Sequence, residues 1–182
     1  MEPGDIIRAV KNLMFIHTGI YRVSITGGEP LLQDIKPLTS LLSKMLGKKG
    51  IVNIETNGTI SPPCLVRVHW SVSPKLPSSG SKFSIPVIDD FAMKSPEHVQ
   101  FKFVVRDTSD WEALKLLCTE SNFMHRHEIW VQPAQVPQDT LQSYIDSCSW
   151  LALKAQQGIR NQQVRLMPQI HKLIWWDQKR GI

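Results

Sequence analysis

Short apolar runs in this chain stop abruptly at polar turns, and helical patterns follow most of them. That alternation limits the possible folds more than any other feature of the sequence. Residues 21–25, 51–54, 69–72, 99–105, 128–131 and 163–166 have the length and the β-branched or aromatic content of strands. Between them, Ile6, Ile7, Val10, Leu13 and Met14 recur at helical spacing behind Asp5, a capping residue, with a stop near Gly19. Ile35, Leu38, Leu41, Leu42 and Met45 mark a helix over 34–45, and Trp111, Leu114 and Leu117 or Cys118 mark another over 109–119. Residues 140–157 form a long helix closed by Gly158. Strands alternating with helices build a mostly parallel α/β sheet, and right-handed crossovers bring all the strands' carboxyl ends to one rim. Residues 76–86, rich in Pro, Ser and Gly, read as a surface loop or an insertion. A chain of 182 residues suits one domain over 1–182.

The strand endings are where chemistry collects. They read Thr26-Gly27-Gly28-Glu29, Glu55-Thr56-Asn57-Gly58, Ser73-Pro74-Lys75, Gln132-Pro133 and Pro168-Gln169-Ile170-His171. Turn formation accounts for the glycines and prolines, but it does not require Glu29, Glu55, Lys75 or His171. Ligands of open α/β sheets bind outside the carboxyl ends of the strands, so these residues mark a site there. The glycine pair beside Glu29 adds bare backbone that another molecule can approach closely.

Composition narrows the function classes. The 42% hydrophobic and 20% charged content is that of a globular protein. No apolar run reaches the roughly 20 residues of a bilayer crossing, and the start has no secretory-signal pattern, which points to the cytoplasm and no membrane partner. The formal charge is +5, but Lys and Arg are scattered rather than clustered, which argues against a nucleic-acid partner. No Gly-x4-Gly-Lys-Ser/Thr loop is present, which removes the common nucleotide-hydrolase class. His125-Arg126-His127 has no third ligand near it in sequence and reads as a solvated turn. Cys64, Cys118 and Cys148 are far apart and read as incidental thiols.

Residues 26–33 (Thr-Gly-Gly-Glu-Pro-Leu-Leu-Gln) resemble the GGEP turn of radical S-adenosylmethionine enzymes. With Ile54-Glu55-Thr56-Asn57-Gly58-Thr59, Ser73-Pro74-Lys75, Phe101-Lys102-Phe103-Val104, Val131-Gln132-Pro133 and 165–172, the ordered set is similar to the 7-carboxy-7-deazaguanine synthase family over nearly the whole chain. The tail from Trp175 to Ile182 resembles the ends of some members. The resemblance implies a partial (β/α) barrel that converts 6-carboxy-5,6,7,8-tetrahydropterin to 7-carboxy-7-deazaguanine with loss of ammonia, in queuosine biosynthesis. It implies S-adenosylmethionine, a 4Fe–4S cluster that cleaves it to a 5′-deoxyadenosyl radical, Mg2+, a homodimer and a flavodoxin-type electron donor. By the same resemblance Gly27, Gly28 and Glu29 hold the methionyl amino group, and Ser73 and Lys75 face its carboxylate or ribose. Glu55, Asn57 and Gln132 complete the nucleoside pocket, while Thr26, His171, Gln169 and Arg165 meet the pterin. Arg165 lies inside a predicted strand, so a structural ion pair is its other reading.

The chain departs from the pattern in one respect. The family's CxxxCxxC loop, after its first strand, has no counterpart, and no cysteine precedes Cys64. The expectation is therefore a barrel lacking its first strand, without catalytic or metal ligands of its own and inactive alone. It would be a fragment, half of a split enzyme, or a relative that binds nucleoside or pterin without chemistry. An activating enzyme for a glycyl-radical reductase is the nearest enzymatic alternative, though it would not be expected to end in Pro168-Gln169-Ile170-His171-Lys172.

Overall fold

All the paired strands run parallel, and their order across the sheet is their order in the chain. The computed structural model describes residues 2–16, 22–48, 50–94, 98–136, 139–160 and 162–176. The strands are β1 (Arg22–Ile25), β2 (Ile51–Thr56), β3 (Val68–Val72), β4 (Val99–Val105), β5 (Ile129–Pro133) and β6 (Val164–Leu166), forming a 6-stranded open sheet. The helices are α1 (Pro3–Ile16), α2 (Lys36–Leu46), α3 (Ile85–Lys94), α4 (Thr108–Glu120), α5 (Leu141–Gln157) and α6 (Ile170–Ile174). This is the parallel α/β sheet expected from the alternation, open as in the partial barrel that the resemblance implies.

Period-two burial explains why the sheet has one covered face. Val52, Ile54, Val68, Trp70, Val72, Phe101, Phe103, Ile129 and Val131 are buried, and the residues between them in β2, β3 and β4 point the other way and are more open. Consecutive parallel strands joined by right-handed crossovers place their connections on one side. That side holds Leu42 and Leu46 of α2, Ile88 and Phe91 of α3, Trp111, Leu114 and Leu117 of α4, and Leu151 of α5. Trp70 meets Phe91 edge to face at 5.2 Å, a favoured aromatic geometry. Between β2 and β3 the connection contains no helix among the described residues.

Several expectations shift. The 76–86 stretch is not a plain loop: a 3-10 turn at Pro77–Ser79 leads to α3, whose Ile88, Phe91 and Ala92 are buried. Pro86 hid this helix in the sequence, although proline is well tolerated in a first turn. Asp5 is not a cap, because α1 begins at Pro3 and the Asp5 N–H already bonds to the Glu2 carbonyl at 3.0 Å. Its expected stop near Gly19 falls outside the described residues. Thr140 is the N-cap of α5, in a reciprocal capping box with Ser143. Trp111, Leu114, Leu117 and Cys118 all face inward, as the spacing predicted.

His127, expected in a solvated turn, is instead buried. It follows the turn Met124–Arg126, its ring stands edge-on to Phe101 at 5.6 Å, and its Nε2 has no partner. Burial pushes its pKa below the usual histidine value; a backbone hydrogen bond at Ala92 opposes that direction, and Arg126 and His125 add to it. The fold therefore holds the neutral ring, while the unfolded chain takes up a proton near pH 6.5. The stabilising contribution is full above that pH and is lost as pH falls through and below it. Urea unfolding at pH 7.5 and 5.5 is expected to show lower stability at the acid end, and His127→Gln is expected to shrink the difference; an unchanged difference in that variant contradicts this assignment.

Candidate functional site

At the end of β1 the chain turns through two left-handed glycines, Gly27 at φ 97° and Gly28 at φ 57°. A Cβ at either would meet nothing within 4 Å, so conformation rather than space requires glycine there. Glu29 then returns to extended backbone, and its side chain folds onto the end of β2. Oε1 accepts from the Thr56 hydroxyl at 2.7 Å and the Leu31 N–H at 3.1 Å, and Oε2 accepts from the Asn57 N–H at 2.7 Å. Both carboxylate oxygens are thus committed to joining two strand ends. The glycine backbone is left facing outward.

The end of β2 is fixed from below as well. The Thr56 carbonyl accepts from the Ser73 N–H at 2.8 Å, tying β2 to the end of β3. Gly58 also lies at positive φ, and a Cβ there would come within 2.9 Å of Val72 Cγ1. Asn57 turns its Oδ1 to the Thr59 N–H and hydroxyl, at 2.9 and 2.6 Å. Glu55 is exposed on the uncovered face, where Oε2 accepts from the Thr26 hydroxyl at 3.3 Å.

Beyond β3, Ser73 and Lys75 line a cavity of about 240 Å3 together with Val104, Arg106 and Gln135. Gln132, buried on β5, is in register with Val104. Asp110, fully buried in the first turn of α4, accepts from the Ser78 N–H and hydroxyl and from the Arg106 N–H. It holds the loop after Lys75 against the exit of β4.

The last predicted segment is placed by α5. The Gln169 N–H donates to the buried Tyr144 hydroxyl at 2.9 Å, and Gln169 Oε1 is itself buried without a partner. His171 lies exposed on α6. Arg165 is engaged elsewhere: it pairs with Glu128 at 2.6 Å and lies 5.4 Å over the Trp130 ring. Thr26 to Glu29, Glu55 and Asn57 are joined by direct bonds, and Ser73 and Lys75 sit on the next strand end. Gln132 and the Gln169–His171 segment follow at the exits of β5 and β6. Arg165 alone sits below the rim, level with Trp130.

Polar residues also gather on the uncovered face away from the strand endings. From β1 to β3 the uncovered face is mostly polar: Asn53 donates to Ser24 Oγ at 3.4 Å and accepts from the Ser71 hydroxyl at 3.1 Å. Arg22, Gln100 and a stacked His69–His98 pair, 4.6 Å apart, share a cavity of about 340 Å3 with them. Burial and the neighbouring His98 and Arg22 push the His69 pKa down. The signal was readable, since these polar residues alternate with apolar ones inside the strands.

No family model matches the chain. Over 189 aligned residues it is 31% identical to the 7-carboxy-7-deazaguanine synthase of Clostridium acetobutylicum, covering all of this chain and 76% of the relative. The protein of that name from Bacillus cereus is 30% identical, again over the whole chain and 76% of its own length. The chain belongs to the 7-carboxy-7-deazaguanine synthase family. The crystal structure of QueE from Escherichia coli matches it with a TM-score of 0.60 at 25% identity, over 92% of this chain and 64% of that one. These relatives bear an enzyme's name, which favours the radical S-adenosylmethionine lyase reading over a non-catalytic binding module.

The family implies an iron–sulfur cluster, and the thiols of this chain do not fit one. Cys64 is exposed, Cys118 is buried with its pKa pushed up to about 12, and Cys148 is half-buried on α5 with its thiol also pushed up by burial. Cluster ligation needs grouped thiolates, and no His, Cys, Asp or Glu group that could hold a metal ion occurs among the described residues.

The contrast between Glu29 and Glu55 is testable. Glu29→Ala is expected to lower the unfolding free energy by about 2 kcal/mol, because it orphans the donors at the end of β2. Glu55→Ala, which frees one exposed bond, is expected to change it by less than about 0.5 kcal/mol. Equal losses in urea titrations contradict the assigned role of Glu29.

Proposed function

We propose that this chain forms the S-adenosylmethionine- and pterin-binding part of a 7-carboxy-7-deazaguanine synthase. Its reaction is the radical ring contraction of 6-carboxy-5,6,7,8-tetrahydropterin to 7-carboxy-7-deazaguanine, with loss of ammonia, in queuosine biosynthesis. The observation that carries the reading is the collection of the family's polar strand endings on one rim, in strand order, with the first two welded by Glu29. A likeness to relatives of that name, at 31 and 30% identity, supports it.

On this reading the backbone of Gly27, Gly28 and Glu29 receives the methionyl amino group. Ser73 and Lys75 receive the carboxylate or ribose, and charge-assisted bonds from an ammonium suit that end of the cofactor. Glu55, Asn57 and Gln132 border the nucleoside, while Thr26, Gln169 and His171 meet the pterin. Arg165 enters by holding Trp130 and Glu128 in place beneath the substrate. The chain's contribution is to bind, orient and exclude water, since in such enzymes the cofactor carries the hard chemistry. A reduced 4Fe–4S cluster and Mg2+ supply that chemistry in the family. A second copy of the chain and a flavodoxin-type electron donor are the protein partners of the same reading. No described helix is long and apolar enough to cross a membrane.

The direct test is a fusion that places a segment bearing a CxxxCxxC loop before Met1, reconstituted anaerobically with iron and sulfide. With a reductant, S-adenosylmethionine and the tetrahydropterin, it is expected to yield 7-carboxy-7-deazaguanine by mass spectrometry, while the 182-residue chain alone yields none. A fusion that holds a stoichiometric cluster and makes no product contradicts the assignment.

A further inference from the structure

We propose that Lys75 and Arg106 form a two-cation seat for a ligand carboxylate at the carboxyl rim, with Asp110 as the positioning residue that fixes its two walls. The proposal rests on the S-adenosylmethionine and pterin reading above and adds Arg106, which no motif singled out. Burial alternates as buried Val72, half-open Ser73, buried Pro74, half-open Lys75 on one strand exit. On the next it runs buried Phe103, half-open Val104, buried Val105, exposed Arg106. Side chains two apart share a face, so Lys75 and Arg106 leave neighbouring strands on the uncovered side. Both line the same cavity of about 240 Å3.

Neither cation forms a salt bridge among the described residues. The acids bonded to residues of this cavity, Asp110 and Asp139, are already engaged by other donors, and Asp107 beside Arg106 accepts from the Asp110 N–H at 3.1 Å. Asp110 accepts from the Ser78 N–H at 2.9 Å, the Ser78 hydroxyl at 2.6 Å and the Arg106 N–H at 2.9 Å. Asp139 accepts from the Val136 N–H at 2.7 Å. A single buried carboxylate therefore grips both the loop that follows Lys75 and the backbone of Arg106. Two positive side chains on one small cavity, without a salt-bridge partner among the described residues, suit an oxyanion, and a guanidinium matches a carboxylate with paired N–H donors. Two ligands of this site carry one: the methionyl end of S-adenosylmethionine and the carboxylate of the pterin.

Calorimetry with two ligand pairs distinguishes these sources. One pair is S-adenosylmethionine and decarboxylated S-adenosylmethionine; the other is 6-carboxypterin and pterin. The unaltered chain is expected to prefer the carboxylate-bearing member of one pair by about tenfold or more, and the pair concerned identifies the source. Arg106→Gln is expected to abolish that preference and Arg106→Lys to keep part of it. Asp110→Asn is expected to reduce the preference while leaving the affinity for the carboxylate-free member near its original value. Lys154→Gln, which removes a charge on α5 away from the cavity, is expected to leave it intact. The inference is overturned if Arg106→Gln keeps the preference, if it weakens both members of each pair equally, or if Lys154→Gln has the same effect. A chain that binds none of the four ligands overturns the functional reading itself, and the seat with it.

Discussion

The Glu29 carboxylate is the contact on which the rest of the rim depends. Two left-handed glycines throw the chain off β1, and only a fixed point immediately after them gives the turn a defined position. Glu29 supplies that point by accepting from Thr56 and Asn57, residues that sit on the next strand. Thr56 passes the constraint on, since its carbonyl takes the Ser73 N–H and its hydroxyl takes the Gly58 N–H. Three successive strand endings are thus connected by hydrogen bonds rather than only by the sheet. A charged acceptor with several donors is among the stronger polar contacts in water, so the glycine backbone is held rigid without a side chain covering it.

The two faces of the sheet differ in burial and in polarity. The helix-covered face is apolar and filled by Trp70, Phe91, Phe101 and Phe103, which sets the curvature and leaves little freedom to the strands. The other face carries Ser24, Asn53, Ser71 and Lys102 instead of the branched aliphatic layers that fill a closed barrel of this type. A polar interior is costly to bury without partners, so this face suits a solvated or ligand-lined lumen. Asp110 and Tyr144 act from the helix layer. Each reaches from a helix to the rim, one to Ser78 and Arg106 and the other to Gln169, and fixes a loop that the sheet alone does not control.

Much of this was legible in the sequence, and for identifiable reasons. Strand-helix alternation is a local pattern, so the parallel sheet and the rim endings followed from it directly. The inward face of α4 followed from spacing alone. α3 escaped because Pro77, Ser78, Ser79 and Gly80 signal a turn, and the helical stripe of Ile88 and Phe91 begins only after Pro86. The engagement of the Glu29 side chain with β2 is a contact between residues 27 and 28 positions apart, which no local pattern encodes. Arg106 was missed for the same reason, because its relation to Lys75 exists only once β3 and β4 lie side by side. Arg165 had two readings in the sequence, and its pairing with Glu128 gives weight to the structural one.

On the proposed function the carboxyl rim, and no other surface, receives S-adenosylmethionine. Hydrogen exchange measured by mass spectrometry with and without that ligand tests it most directly. The account predicts added protection at residues 26–29, 55–58, 73–78 and 132–135, with the convex helices α2, α4 and α5 unchanged. Protection centred on those helices, or none at a ligand concentration that saturates binding, would contradict it.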